Sequence, residues 1–161
     1  MSERFHDVTI TVNGDEVRDR VDARKTLVDF LRDQVGLTGS HVGCEHGVCG
    51  ACSVRVDGVV VRGCLMLAVQ CDGARVDTIE GVTDTGEIAD LQQAFVARNA
   101  LQCGYCTPGM LLSAQELLAA GSIPSREAIR AYLSGNYCRC TGYQAIIDAV
   151  EAVAKARVGE K

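Results

Sequence analysis

Apolar and polar residues alternate along "VTITV" (8–12), the period of a strand with one buried face. "NGD" at 13–15 is a hairpin signal, so a second strand is expected around Glu16 to Val21. The period then changes. In "TLVDFLRDQV" (26–35), Leu27, Leu31 and Val35 recur at helical spacing, and Gly36 stands where a helix stops. The next stretch, "GLTGSHVGCEHGVCGAC", is too rich in glycine for a regular element. "SVRVDGVVV" (53–61) reads as another hairpin turning at Asp57-Gly58, and "RVDTIE" (75–80) as a last strand. Strand, strand, helix and strands make a small α+β unit.

After the polar connector "EGVTDTGE" (80–87) the period is helical. "IADLQQAFVARNA" (88–100) puts Ile88, Leu91 and Phe95 on one face. Three more helices are expected over 110–121, 126–135 and 142–157. Thr107 with Pro108 behind it, Ser125, and Thr141 with Gln144 three residues on are start signals. Gly121 and Gly135 are stops. Four helices on short links make a compact bundle. The chain therefore divides into an α+β unit, residues 1–80, and an all-α unit, residues 81–161.

Composition narrows the function. There is no apolar run long enough for a membrane span. "MSERFHDVTITV" lacks the basic and apolar regions of a secretory signal, and there is no twin-arginine pair, so a cytoplasmic protein is expected. The net charge is −5 and the basic residues are scattered, which disfavours nucleic acid as a partner. Nine cysteines then dominate the reading. Without an export signal they do not suggest disulfides, and an odd number leaves one over. Eight of them fall into two groups of four, one in each unit.

The first group is Cys44-x4-Cys49-x2-Cys52 with Cys64 after eleven residues, the spacing of plant-type [2Fe–2S] ferredoxins. Four thiolates leave such a site net negative, so backbone N–H groups must turn towards the sulfurs. Gly43, Gly47 and Gly50 let the loop fold that tightly. The second group is Cys103-x2-Cys106 and, 31 residues later, Cys138-x-Cys140. Both of its loops lead into helix N-termini, whose positive ends favour a negative centre. By itself this group also suits tetrahedral zinc.

Cys71 matches neither group and reads as a packed thiol. His41 and His46 flank Cys44, but a Rieske centre needs a second Cys-x2-His, and Cys49-x2 leads to Cys52. Tyr105, Tyr137 and Tyr143 sit beside the second group as shielding. Nothing resembles a phosphate loop, a GxSxG turn or a nucleophile with its base, so no catalysis is expected from this chain alone.

"GCEHGVCGACSV" (43–54), "QCGYCTPGM" (102–110) and "GNYCRCTGY" (135–143) resemble the iron–sulfur subunit of the molybdenum hydroxylases, the xanthine dehydrogenase and carbon monoxide dehydrogenase family. The likeness runs from the first strand to the last helix. Ser53, where Thr is usual, and Tyr105, where Phe is common, are small departures, and Cys71 is extra. The resemblance implies a β-grasp ferredoxin-like domain holding one [2Fe–2S] cluster on Cys44, Cys49, Cys52 and Cys64. It implies a four-helix domain holding a second on Cys103, Cys106, Cys138 and Cys140. It also implies a large partner subunit with molybdenum–molybdopterin and a medium partner with FAD, in a heterotrimer or a dimer of heterotrimers. Electrons would pass from molybdenum through the helical-domain cluster and the ferredoxin-domain cluster to FAD. By the same resemblance Gln102 and Cys140 lie against the pterin, and a chain stopping at Lys161 is a separate small subunit.

Overall fold

The computed structural model describes residues 4–159. Strands β1 (Phe5–Val12) and β2 (Asp15–Asp22) form the expected hairpin, turning on Asn13 and Gly14, both at positive φ. Strands β3 (Ser53–Val56), β4 (Val59–Arg62) and β5 (Arg75–Asp77) complete a mixed five-stranded sheet of order β2-β1-β5-β3-β4. Parallel pairing of β1 with β5 is its one same-direction junction; the other pairs are antiparallel. The alternation read in the sequence buries Val8, Ile10 and Val12 on one face, where Val54 and Val76 join them.

Helix α1 (Leu27–Asp29) covers that face with Leu27 and continues into a π-helical turn (Phe30–Gln34) that adds Phe30 and Leu31. Thr26 caps it by accepting from the Asp29 amide at 3.2 Å. The wider turn closes with Val35 N donating to Phe30 O at 3.2 Å, and Gly36 at φ +83° ends the element where expected.

Helices α2 (Ile79–Asp84), α3 (Ala89–Ala97), α4 (Thr107–Leu118), α5 (Arg126–Tyr132) and α6 (Gln144–Gly159) make the second half. The four expected helices correspond to α3 to α6. The stretch read as a connector is instead mostly α2, and Ile79 and Val82 bury into the helical core. Its polar residues concealed a two-residue apolar face too short to register as a period. The last strand is correspondingly shorter than 75–80. In the core, Leu91 and Phe95 of α3 meet Met110 and Leu112 of α4, Ile129 of α5, and Ile146 and Val150 of α6.

Ser125 caps α5 through the Ala128 amide. The other two start signals differ. Thr107 is the first residue of α4 and makes no cap. Thr141 makes no capping box with Gln144: its hydroxyl lies 3.1 Å from Cys138 Sγ and accepts from the Tyr143 amide, while Gln144 bonds Asp148.

Candidate metal centres

The loop between α1 and β3 carries Cys44, Cys49 and Cys52, and Cys64 follows β4. Glu45, Gly47 and Gly50 all have positive φ, so the chain coils tightly around the sulfurs. The Cys49 amide points to Cys44 Sγ at 3.4 Å. Cys52 and Cys64 lie inside, packed with Val28 and the partly buried Val42, whereas Cys44 and Cys49 are half-buried at the rim. The same split occurs in the helical half. Cys103 and Cys140 are exposed with their sulfurs 3.5 Å apart, and the half-buried Cys106 and buried Cys138 lie on the inside.

The electrostatics follow the amides and the burial. Amide donors from Cys49, His46 and Val48 pull the Cys44 thiol down to about 6. Burial pushes Cys52 up to about 11 and Cys106 up to about 12. At Cys138 burial raises the pKa, but the hydroxyl and amide of Thr141 and the amide of Cys140 outweigh it and leave the thiol below its ordinary value. Cys52 and Cys106 therefore favour the protonated form until a cation takes the proton's place, while N–H and O–H donors prepare Cys44 and Cys138 as thiolates.

The donor set fits [2Fe–2S] clusters on three counts. All nine cysteines are free thiols. The sulfurs of each group come as an outer and an inner pair. Among the described residues no three Cys, His, Asp or Glu side chains close on one ion, as a mononuclear tetrahedral site requires. A binuclear core spreads its ligands as two pairs.

The remaining residues singled out in the sequence sort cleanly. Gln102 Nε2 donates to the Cys140 carbonyl at 3.1 Å, tying the two helical-side loops together. His46 bonds the Cys44 carbonyl through its ring nitrogen. His41 stacks on Tyr105 with ring centroids 4.4 Å apart, and the Tyr105 hydroxyl donates to Val42 O at 2.8 Å. Tyr143 accepts from the Cys138 amide at 2.9 Å. Cys71 is fully buried in the sheet core, where burial lifts it to about 11.

The two loops touch. Gly50, between Cys49 and Cys52, lies so close to α4 that a Cβ on Gly109 would sit 2.2 Å from Gly50 O. The Tyr137 amide donates to Cys49 O at 2.8 Å, so one hydrogen bond joins the residue before Cys138 to a cysteine of the other quartet. Sequence reading missed the residues that brace this seam: Arg62, Asn136 and Ser113. A lone arginine at a strand end, an asparagine and a helical serine carry no spacing signal. Ser53, which joins them, stood out only as a departure from the family's usual threonine.

A β-grasp sheet and a helical unit, each with paired cysteines and a hydrogen-bonded contact between them, define a two-centre iron–sulfur electron-transfer protein. Residues 10–76 match the "2Fe-2S iron-sulfur cluster binding domain" family and residues 78–151 the "[2Fe-2S] binding domain" family. The chain is 50% identical over 151 residues to caffeine dehydrogenase subunit gamma of Pseudomonas sp. (strain CBB1), covering 92% of this chain and 90% of that protein. It is 50% identical over 155 residues to the nicotine 6-hydroxylase small subunit of Paenarthrobacter nicotinovorans, covering 96% and 93%. The crystal structure of quinoline 2-oxidoreductase from Pseudomonas putida 86 superposes with a TM-score of 0.89 at 46% identity, over 96% of this chain and 97% of that one. The chain belongs to the family of small iron–sulfur subunits of the molybdenum hydroxylases, and it carries two [2Fe–2S] clusters as an electron-transfer subunit of an oxidoreductase complex. No described helix is long and apolar enough to cross a membrane.

Proposed function

We propose that residues 1–80 hold one cluster on Cys44, Cys49, Cys52 and Cys64, and that residues 81–161 hold the other on Cys103, Cys106, Cys138 and Cys140. When bound, a [2Fe–2S] cluster takes up and releases one electron at a time. The chain's own part is to bury the inner sulfurs, aim amides at Cys44 and Cys138 and keep the two loops in hydrogen-bonded contact. A large partner supplies molybdenum–molybdopterin on the side of Gln102 and Cys140, and a medium partner supplies FAD on the ferredoxin side, in a cytoplasmic heterotrimer or a dimer of heterotrimers. The exposure of Cys103 and Cys140 supports the first contact: both lie at the surface, where a partner can cover them.

The observation that carries this reading is the 2.8 Å bond from Tyr137 N to Cys49 O, which makes the two quartets neighbours along a path of covalent bonds and one hydrogen bond. Substrate choice belongs to the partners. Subunits of relatives named for caffeine and nicotine each share 50% identity with this chain, so one small-subunit design serves different substrates. Cys140→Ser tests the assignment. The helical-domain cluster signal and turnover of the complex should vanish while the ferredoxin-type signal stays; survival of both paramagnetic signals refutes the ligand set.

A further inference from the structure

Arg62, the last residue of β4, stands two residues before Cys64 and spends its guanidinium on neutral oxygens of both domains. Nη1 donates to Ser53 Oγ at 2.6 Å, and Ser53 Oγ in turn donates to Gly50 O at 2.7 Å, inside the ferredoxin-side cysteine loop. Nη2 donates to Gly135 O at 2.9 Å. Two residues on from Gly135, Tyr137 N donates to Cys49 O. The contacts close a ring, with the guanidinium, Ser53, Gly50 and Cys49 on one side and Tyr137, Asn136 and Gly135 on the other. Asn136 backs the ring from α4 through Ser113 Oγ at 2.9 Å.

We propose that Arg62 is a positioning residue for electron passage between the two quartets, holding the Cys49 O to Tyr137 N bridge in register by gripping both loops at once. The inference deepens the proposed function and rests on it. The planar fork suits this role because its donors are fixed relative to one another, so anchoring one at Ser53 aims the other at Gly135. Lysine has one ammonium on a flexible stem and cannot hold both at those distances. The step it serves makes and breaks no bond and moves no proton: one electron leaves one centre and one arrives at the other.

The test uses the assembled complex with Arg62→Met and Arg62→Lys. Iron and sulfide content and the two paramagnetic signals are measured first, then amide exchange over 135–138, then the rate of electron equilibration between the clusters after flash reduction. Arg62→Met should keep iron and both signals, exchange the Tyr137 amide about tenfold faster, the size of one lost charge-assisted bond, and equilibrate electrons measurably more slowly as the two loops lose register. Arg62→Lys should restore only part of the rate. An unchanged equilibration rate in Arg62→Met overturns the proposal, whatever happens to the amide. If Arg62→Met loses iron, Ser53→Ala, which frees the anchored donor and removes the Ser53 Oγ bond to Gly50 O while leaving the arginine in place, carries the same test with the same two outcomes. Absence of either cluster from the unmodified protein would instead sink the proposed function and is read separately.

Discussion

Gly109→Ala puts the contact between the two cysteine loops to the test. Gly109 lies in the first turn of α4, where alanine is worth about 1 kcal/mol over glycine by helix propensity. The added Cβ would lie 2.2 Å from Gly50 O, 3.2 Å from Gly50 C and 3.4 Å from Asn136 Oδ1. Two of those three atoms are backbone, so no rotamer change relieves the overlap. Overpacking of this kind costs about 1–3 kcal/mol, and a backbone clash takes the upper end. Offsetting the propensity gain leaves about 2 kcal/mol of destabilisation, or about 4–8 °C in Tm for a chain of this size. Since the displaced atoms belong to Gly50, between Cys49 and Cys52, the ferredoxin-type signal should also change in line shape. The assay is thermal unfolding of anaerobically purified protein, followed by visible circular dichroism of the clusters. Gly159→Ala is the control: a Cβ there meets nothing within 4 Å, and the change should fall within about 0.5 kcal/mol. A Gly109→Ala protein with unaltered Tm and spectrum would show that the loops are not packed together, and the short path between the quartets would fall with them.

Thr141→Val removes a hydroxyl 3.1 Å from Cys138 Sγ. Donors to a thiolate favour the more negative reduced state, so the helical-domain cluster's reduction potential should drop by about 20–60 mV in a redox titration, one ordinary hydrogen bond in electrical units. Cys71→Ala should cost about 1 kcal/mol in denaturant unfolding while leaving iron content unchanged, because this thiol lies in the sheet core. Asp90→Asn breaks the paired bonds at 2.7 and 2.8 Å from Arg157 that tie α3 to α6, at about 0.5 kcal/mol for a half-exposed pair. Arg157 holds the Asp90 carboxyl below its ordinary 3.8, so its stabilisation is present above that value and is lost as pH falls through the lower folded value. The deficit of Asp90→Asn should therefore be flat between about pH 5 and 8 and close only below 3.8, as read from denaturant midpoints at stepped pH.

The sheet and the main helices were legible because each carries its own period: Val8, Ile10 and Val12 at two, Ile88, Leu91 and Phe95 at helical spacing. The cysteine groups stood out because most of their members come as closely spaced pairs or triplets, Cys44 to Cys52, Cys103 with Cys106 and Cys138 with Cys140. What escaped depends on contacts between distant segments. α2 shows two apolar residues, and only the core it enters reveals its face. Thr141 looked like a helix cap because a threonine with a glutamine three residues on is a capping pattern; its hydroxyl instead lies beside Cys138 Sγ and accepts from the Tyr143 amide, a contact set by the cysteine turn. Arg62 and Gly135 are 73 positions apart, and no local pattern announces their bond.

Whether two cysteine quartets each hold one binuclear cluster is tested most directly by metal analysis. Anaerobic purification is followed by iron, zinc and acid-labile sulfide determination, with spin counting after full reduction. About four iron and four sulfide per chain, no zinc, and two distinct signals of equal spin are the predicted result. A single signal with about half that iron, or zinc in either quartet, would contradict it.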